Sequence, residues 1–548
     1  MMNNDLQVIR HSASHVMAQA VKRLYPNSKL AIGPAIADGF YYDIDSDITF
    51  GTEQLEAIYD EMKKIIKENL KIERFELPRA EALELMKDEP YKQELINDLP
   101  EDAVISFYKQ GEFTDLCAGP HVSHTGRLKA NAVKLMNATG AYWRGDSNRK
   151  MLQRIYGLAF NNKEELEEHL NFLEESKKRD HNKLGRELEY FTTSELIGQG
   201  LPILMPNGAK VIQILQRFVE DEEERRGYLI TKTPYFAKRE LYKVSGHWQH
   251  YREGMFIMGE GDLEDERNEV FALRPMTCPF QFQVYLAKPR SYRDLPLRYS
   301  ETSTLFRNEA SGEMHGLIRV RQFTISEGHL AVRADQLEDE FKGCLELAIF
   351  MLKTLGLYED VSYRFSKWDE NDSSKYIGGK EQWESVQNTM RGILDNIGVD
   401  YYEADGEAAF YGPKLDIQIR NVHGKEDTLI TIQIDFQLAE QFGMVYTEAN
   451  GEKVNPYVIH RTSVGCYERT LALLIEKYAG ALPLWLSPLQ VSVLPITDRA
   501  GDYANKLVTE LRMAGLRASA DLRNEKIGFK IREAQLQKIP NMLVVGDK

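Results

Sequence analysis

Apolar positions recur at helical spacing through residues 5–25, and HSASHVMAQAVKRLY predicts an amphipathic helix carrying His11 and His15 on one face. Gly and Pro punctuate IGPAIADGFYYDID, Ile32 to Asp45, into strand and turn, and a second helix is predicted from Glu53 to Leu70. Strand-like and turn-like pieces follow in AVKLMNATGAYWRGDSNRKMLQRIYG. Residues 162–181, NKEELEEHLNFLEESKKRDH, are polar nearly all round, with acids early and bases late as the helix dipole favours. They predict a linker helix at a domain boundary.

Beyond the linker a long helix is predicted from Asn207 to Arg226, in which EDEEERR reads as a solvated face, and then a short strand ending at Pro234. SGHWQHYREGMF, Ser245 to Phe256, is dense in histidine and aromatic residues, and Gly259 to Glu269 is an acidic, exposed excursion. In LIRVRQF a two-residue period places Leu317, Arg319, Arg321 and Phe323 on one strand face. Two arginines on a half-buried strand need an anion; a salt-bridged surface strand is the alternative. Residues 335–357 are helical, and SKWDENDSSKYIGGK is a polar loop. AFYGPKLDIQIRN and TLITIQIDFQLAE form a strand pair. There Gln433, Asp435 and Gln437 oppose Ile432, Ile434 and Phe436, which implies a polar ligand cleft. PYVIHRTSVGCYERTLALLIEKYAG predicts a strand ending at His460, a turn at Gly465, and a helix whose early Arg469 opposes the dipole and needs an anion. A Pro-rich linker then leads into a small α/β unit with a helix near Tyr503 to Ala514.

Composition narrows the class. At 548 residues the chain has room for about three or four domains. With 43% hydrophobic and 28% charged residues it reads as soluble and globular. Four scattered cysteines argue for a reducing compartment rather than a disulfide framework. No apolar run approaches the ~20 residues of a membrane span, and no signal pattern opens the chain, so a cytoplasmic location is expected. The net charge of −15 excludes generic nucleic-acid binding. A specific nucleic-acid partner would need a local basic patch, the clearest being Arg523 to Lys538.

Two pairs of ligand-type residues, one of two histidines and one of a cysteine and a histidine, carry candidate chemistry. His11 and His15 are four apart, as are Cys117 and His121 in DLCAGPH, with Gly119-Pro120 turning the chain between the latter two. Such sets serve metal binding or hydrolysis, and a structural role is the alternative. Cys278 and His329 likewise bracket the arginine-rich stretch that starts at Arg274.

The order TKTPYF, RYSETSTLFRNE, GCYERTLALLIE resembles the three signature motifs of class II aminoacyl-tRNA synthetases. RPMTCP, SGHW, FYGPK, the HSASH/CAGPH pair and the C-terminal unit are similar, within that class, to the threonyl-tRNA synthetase family, over nearly the whole chain. The resemblance implies a multidomain α+β fold. An editing domain would span 1–160, a linker helix 161–181, a class II catalytic domain with an antiparallel sheet flanked by helices 182–485, and an α/β anticodon-binding domain 486–548. It implies threonyl-adenylate formation from threonine and ATP with Mg²⁺, transfer to tRNA(Thr), hydrolysis of seryl-tRNA, and a homodimer. Arg307 would hold the α-phosphate and Arg469 lie towards the γ-phosphate. Glu309, Arg319 and Gln433 would complete the ATP site, with Phe323 stacked on adenine. Cys278, His329 and His460 match the zinc ligands, one Zn²⁺ per subunit, leaving an open position for substrate. Met276, Glu327, Tyr411 and Gln433 match threonine contacts, and His247 a histidine assisting transfer. His11, His15, Cys117 and His121 match the editing pocket, joined by Lys92 and Asp115; no metal is assigned there.

Three departures stand out. Ile325-Ser326-Glu327-Gly328-His329 replaces a pattern close to Gln-Asp-Asp-Ala-His, so Glu327 is the acid expected at the threonine hydroxyl. Cys466 replaces a common serine, and it is not expected to be a zinc ligand. With the editing histidines beginning at residue 11, the family's ubiquitin-like domain is expected to be absent, and the C-terminal unit is expected to be a truncated anticodon-binding domain. A stand-alone editing hydrolase and a non-catalytic tRNA sensor remain alternative readings, opposed by the intact Arg307, Glu309, Arg469 and zinc positions.

Overall fold

A computed structural model describes residues 4–146 and 148–546. Two compact units divide between Glu175 and Ser176, inside the helix Lys163–Arg179.

In the first unit the helix Asn4–Leu24 buries Ala13, Val16, Met17 and Ala20 with Phe40 and Ile44 of the strand Gly39–Asp45 and Ile58 and Met62 of the helix Thr52–Glu68. That strand pairs antiparallel with Met151–Ala159, which pairs with Val133–Tyr142. A separate antiparallel sheet joins Ile72–Glu76, Ser106–Gln110 and Phe113–Leu116. Its last strand delivers Asp115, and the loop after it Cys117 and His121.

The second unit is built on an eight-stranded sheet. Its central run is antiparallel: Leu297–Phe306, Gln322–Val332, Tyr457–Cys466, Glu426–Asp435, Lys414–Arg420 and Val361–Ser366. Short parallel strands, Leu229–Ile230 and Tyr401–Ala404, close the two edges. The helices Pro206–Arg225, Leu337–Leu355 and Tyr467–Lys477 pack Val211, Leu215, Phe341, Ala348 and Leu474 against Leu330, Ile432 and Ile459 of the sheet. With alternate residues on opposite faces, Glu327, His329, Gln433 and His460 turn the other way. His329 and Gln433 both sit opposite His460 in register. This antiparallel sheet flanked by helices is the expected catalytic architecture. Residues 491–545 form a three-stranded parallel sheet, with Val491–Pro495 between Ala518–Ala520 and Asn541–Val545, and helices Gly501–Met513 and Ile527–Leu536. No helix among the described residues is long and apolar enough to cross a membrane.

Four local readings change. Residues 317–321 are not a strand: the strand starts at Gln322, and a turn closed by a His315–Arg319 bridge precedes it. Leu317, Ile318 and Val320 are buried while Arg319 points out, so five residues of apparent alternation come from a turn. The strand expected to end at His460 runs on to Cys466. Gly465 makes no turn. Its φ is +72°, and a Cβ there would collide with the Leu429 carbonyl, so glycine is needed for a close strand contact. The EDEEERR face is only partly solvated, because Glu222 and Glu223 are buried. The basic run Arg523 to Lys538 is also interrupted, since Lys530 is buried and donates to the Pro495 carbonyl at 3.1 Å.

Candidate functional site

A cleft of about 350 Å³ opens on the polar face of the eight-stranded sheet, with Arg307, Arg319, Phe323, Glu327, Gln433 and Arg469 among its walls. Cys278 begins the helix Cys278–Leu286; His329 and His460 come from adjacent strands. One ligating atom from each of the three lies within 4.8 Å of the others, and all three residues are buried.

The hydrogen bonds around them fix the rings. Gln281 Oε1 can only accept, so His329 Nδ1 donates to it at 2.6 Å. His329 Nε2 is left buried with no partner. Asp435 Oδ2 accepts from His460 Nε2 at 2.9 Å, which leaves His460 Nδ1 with the free lone pair. Asp435 is itself held by the backbone N–H groups of Gln437 and Leu438, at 2.8 and 2.9 Å. A carboxylate and an amide that hold the far nitrogens of two imidazoles are the arrangement that orients histidine ligands around a metal. Burial, and then His460, keeps His329 well below the usual histidine range. Burial, Glu327 and Asp435 push the Cys278 thiol up. Two imidazoles, each with its far nitrogen already hydrogen-bonded, and a buried thiol fit a Zn²⁺ donor set.

At this end of the cleft Glu327 Oε1 is 3.7 Å from His329 Nε2, and its Oε2 accepts from Thr277 N at 3.2 Å. Gln433 Nε2 donates to the Gly412 carbonyl at 3.0 Å. Tyr411 reaches Met276 Sδ at 3.8 Å. His247 is fully buried behind Met276, with Nε2 3.0 Å from its sulfur and Nδ1 2.8 Å from Ser245 Oγ. Burial, with His460 and Arg307 adding to it, takes His247 down to about 3.

The opposite end is cationic. Arg307 lies over the Phe323 ring at 5.2 Å, and its Nε donates only to the Pro275 carbonyl, at 3.4 Å. Arg469 is bonded to the carbonyls of Ile318 and Thr428. Neither arginine makes an ion pair among the described residues, so Arg469 keeps the need for an anion that the sequence implied, and Arg307 shares it. Arg319, by contrast, is paired with Glu309 at 2.9 Å and Glu313 at 3.1 Å. Cys466 donates to Glu468 Oε2 at 3.2 Å and is not part of the Cys278, His329 and His460 cluster.

The first unit holds a second cluster. His11, His15, Cys117 and His121 each place a ligating atom within 4.8 Å of the others, and Cys117 Sγ is 3.3 Å from Nε2 of both His11 and His121. Lys92 pairs with Asp115 at 2.7 Å, both buried, and Asp115 lies 3.7 Å from His15 Nε2. Two members were missed in the sequence. Tyr42 donates to Asp115 and accepts from Lys92 at 2.9 Å, and Ser12 Oγ sits 3.2 Å from His121 Nδ1. Tyr42 gave no signal beyond its strand. Ser12, one residue from His11, could have been read from the helix.

Residues 262–478 match the tRNA synthetase class II core domain (G, H, P, S and T), 490–548 an anticodon binding domain, and 105–156 the threonyl and alanyl tRNA synthetase second additional domain. A threonine–tRNA ligase of Clostridium botulinum (strain Eklund 17B / Type B) is 66% identical over 540 residues, covering 98% of this chain and 83% of that protein. The chain belongs to the threonine–tRNA ligase family. Its similarity extends to the threonine–tRNA ligase of Geobacillus kaustophilus, 51% identical over 550 residues, 100% of this chain and 83% of the relative. Among solved structures, the RNA binding domain of threonyl-tRNA synthetase from Cryptosporidium parvum aligns with TM-score 0.62 and 34% identity, over 67% of this chain and 89% of that one.

In this family member the histidine cluster carries a pH signature. Burial is the main cause that holds His11, His15 and His121 below their ordinary value of 6.5, and it pushes Cys117 up to about 11. All four are uncharged at neutral pH. Below pH 6.5 the unfolded chain takes up protons on these rings and the folded unit does not. The contribution of these rings to stability is therefore complete above pH 6.5 and is lost progressively as pH falls below it. Thermal melts between pH 7 and pH 5 are expected to show unfolding of the first unit moving to lower temperature, with a smaller shift in His121→Ala. An unmoved transition would contradict the assignment.

Proposed function

We propose that the chain activates threonine with ATP and Mg²⁺, passes the threonyl group to the 3′ end of tRNA(Thr), and hydrolyses seryl-tRNA in its first unit. The observation that carries this reading is the buried, unpartnered Nε2 of His329, beside Cys278 and His460, at one end of a cleft whose other end holds two arginines lacking counter-ions.

In the first step a threonine carboxylate oxygen bonds to the α-phosphorus while the α–β phosphoanhydride bond breaks and pyrophosphate leaves. Arg307 would hold the α-phosphate and Arg469 the γ-phosphate, stabilising charge on the transferring group. Phe323 would stack on adenine, and Glu309, Arg319 and Gln433 would fix the rest of the nucleotide. Cys278, His329 and His460 would hold one Zn²⁺ per subunit, which would supply Lewis-acid binding for the amino and hydroxyl groups of threonine. Glu327, with Met276, Tyr411 and Gln433, would line that end, and the hydroxyl contact rejects valine. In the second step the 3′-terminal hydroxyl of tRNA attacks the threonyl carbonyl and AMP leaves; His247, neutral and pressed against Met276, is assigned to orient that end.

Losing one methyl is worth only ~1–3 kcal/mol in such a pocket, so serine is activated too. His11, His15, Lys92, Asp115, Cys117 and His121 would hydrolyse the seryl ester. We assign residues 1–160 to editing, 161–181 to the linker helix, 182–485 to catalysis and 486–548 to anticodon binding, in a cytoplasmic homodimer.

Threonine-dependent ATP–pyrophosphate exchange tests the synthetic half, and no exchange with Zn²⁺ and Mg²⁺ present would overturn it. For editing, His121→Ala is expected to slow seryl-tRNA hydrolysis about 100-fold or more, within the range for loss of one general acid–base group, with exchange unchanged. Equal hydrolysis by wild type and variant would remove the editing assignment.

A further inference from the structure

The connection 307–321 carries Arg307, Glu309 and Arg319 and forms one wall of the cleft. Two adjacent backbone groups in it are held from opposite ends of a single helix, Tyr467–Lys477. Near the helix start, Arg469 Nε donates to the Ile318 carbonyl at 2.9 Å. Near its end is Glu476, buried at 4% exposure. Glu476 Oε1 lies 2.6 Å from His181 Nδ1, and His181 Nε2 lies 3.3 Å from Leu317 N.

The Leu317 N–H can only donate, so His181 Nε2 accepts, and the ring proton must sit on Nδ1, where it donates to the Glu476 carboxylate. Both nitrogens are thereby used, and the neighbouring Asp180 and His315 gain no metal partner in His181. The ring is 0% exposed. Its backbone is fixed too: Asp180 Oδ1 caps the helix His181–Glu187, accepting from Asn182 N at 2.9 Å and Lys183 N at 3.1 Å. Glu476 Oε2 in turn accepts from Val422 N at 3.0 Å. The loop is seated tightly on this ring. Gly316 has φ +50°, and a Cβ there would collide with His181 Nε2 and Asn182 Oδ1.

We infer that His181 is a positioning residue for the nucleotide, clamping Leu317 through the Glu476–His181 pair as Arg469 clamps Ile318, so that the 307–321 wall holds its arginines at the phosphate end. This rests on the reading of the cleft as an ATP site. His181 itself lines no part of the cleft, and it leaves the zinc set at the other end untouched. Its loss should therefore separate the two substrates.

The test uses the full chain as wild type, His181→Asn and Gly316→Ala. Asparagine keeps an N–H donor for Glu476 but leaves Leu317 N–H without an acceptor, whereas alanine at 316 pushes on the clamp from the loop side. In ATP–pyrophosphate exchange the KM for ATP is expected to rise about 10-fold in both variants, the effect of one buried hydrogen bond, while the KM for threonine stays within about twofold. Trypsin cleavage of the substrate-free chain after Arg319 and Arg321 reports the same loop without turnover, and it should be about 10-fold faster in both variants as the local opening cost falls. Wild-type KM for ATP and wild-type cleavage in a folded variant would overturn the inference, as would equal rises in both KM values. If His181→Asn does not fold, Gly316→Ala decides by the same readouts. If wild type shows no exchange, the activity reading fails, and unchanged cleavage would still sink the clamp separately.

Discussion

On the proposed zinc site, Cys278→Ala is expected to bind no zinc and to slow threonine-dependent exchange about 100-fold or more, on the scale that metal-site shells set for affinity and activity. Cys278 is the one donor of the set that can carry a negative charge, and the two imidazoles alone cannot hold the ion in its place. The fold should survive, since removing a single small buried atom costs about 1–2 kcal/mol. ATP binding should persist as well, because Arg307 and Arg469 stand on different segments. Metal analysis of dialysed protein, exchange, and ATP titration by calorimetry are the three measurements. Exchange at the wild-type rate in protein shown to be free of zinc would sink the assignment of the site.

The second large effect is on stability. Arg461 is fully buried, 2.6 Å from Glu223 Oε1, and its guanidinium lies 4.1 Å above the Tyr228 ring. Ser463 completes the knot, donating to the same oxygen at 2.5 Å and accepting from Arg461 at 2.8 Å. Glu223→Ala leaves a buried guanidinium with no counter-ion, at a cost of about 3–5 kcal/mol. Glu222→Ala, which breaks only pairs to the outward-facing Arg225 and Arg226, should cost less than about 1 kcal/mol. Thermal unfolding of the two variants side by side measures the difference. A Glu223→Ala transition that coincides with that of Glu222→Ala would show the buried pair to be dispensable. Because Arg461 follows His460 on its strand, the destabilised variant should also lose exchange.

Glu223 illustrates why part of this protein was not legible in its sequence. EDEEERR has the composition of a solvated face, and which of its acids turns inward depends on an arginine 238 positions later. The same holds for the orienting shells. Gln281 and Asp435 sit in patterns that fit any helix or strand, and only the tertiary fold brings them to His329 and His460. Arg319 failed differently, because a turn closed by a His315–Arg319 bridge reproduces strand-like alternation over five residues. What was legible was carried by residues whose chemistry is costly elsewhere: His11 and His15 on a predicted helix face, Cys278 and His329 around an arginine-rich stretch, and a polar strand face at Gln433. Long elements such as Asn4–Leu24, Pro206–Arg225 and Leu337–Leu355 were readable from periodicity alone.

The bulged strand from Tyr457 to Cys466 has a metric consequence. On the proposed function His460 stands at the amino-acid end of the cleft, and Cys466 leads directly into the helix whose Arg469 is proposed to meet the phosphates. His460 and Cys466 stand opposite His329 and Ile325, only four residues apart, because extra residues bulge out around Gly465. The strand therefore advances about 13 Å between them, and it acts as a ruler for the reactants that the proposed function lays along it. Adding or deleting a residue would change the measured length and also flip every later side chain to the other face. The distance between the amino acid's anchor and the nucleotide's is thus written into a single covalent segment, and it does not depend on how separate elements happen to pack.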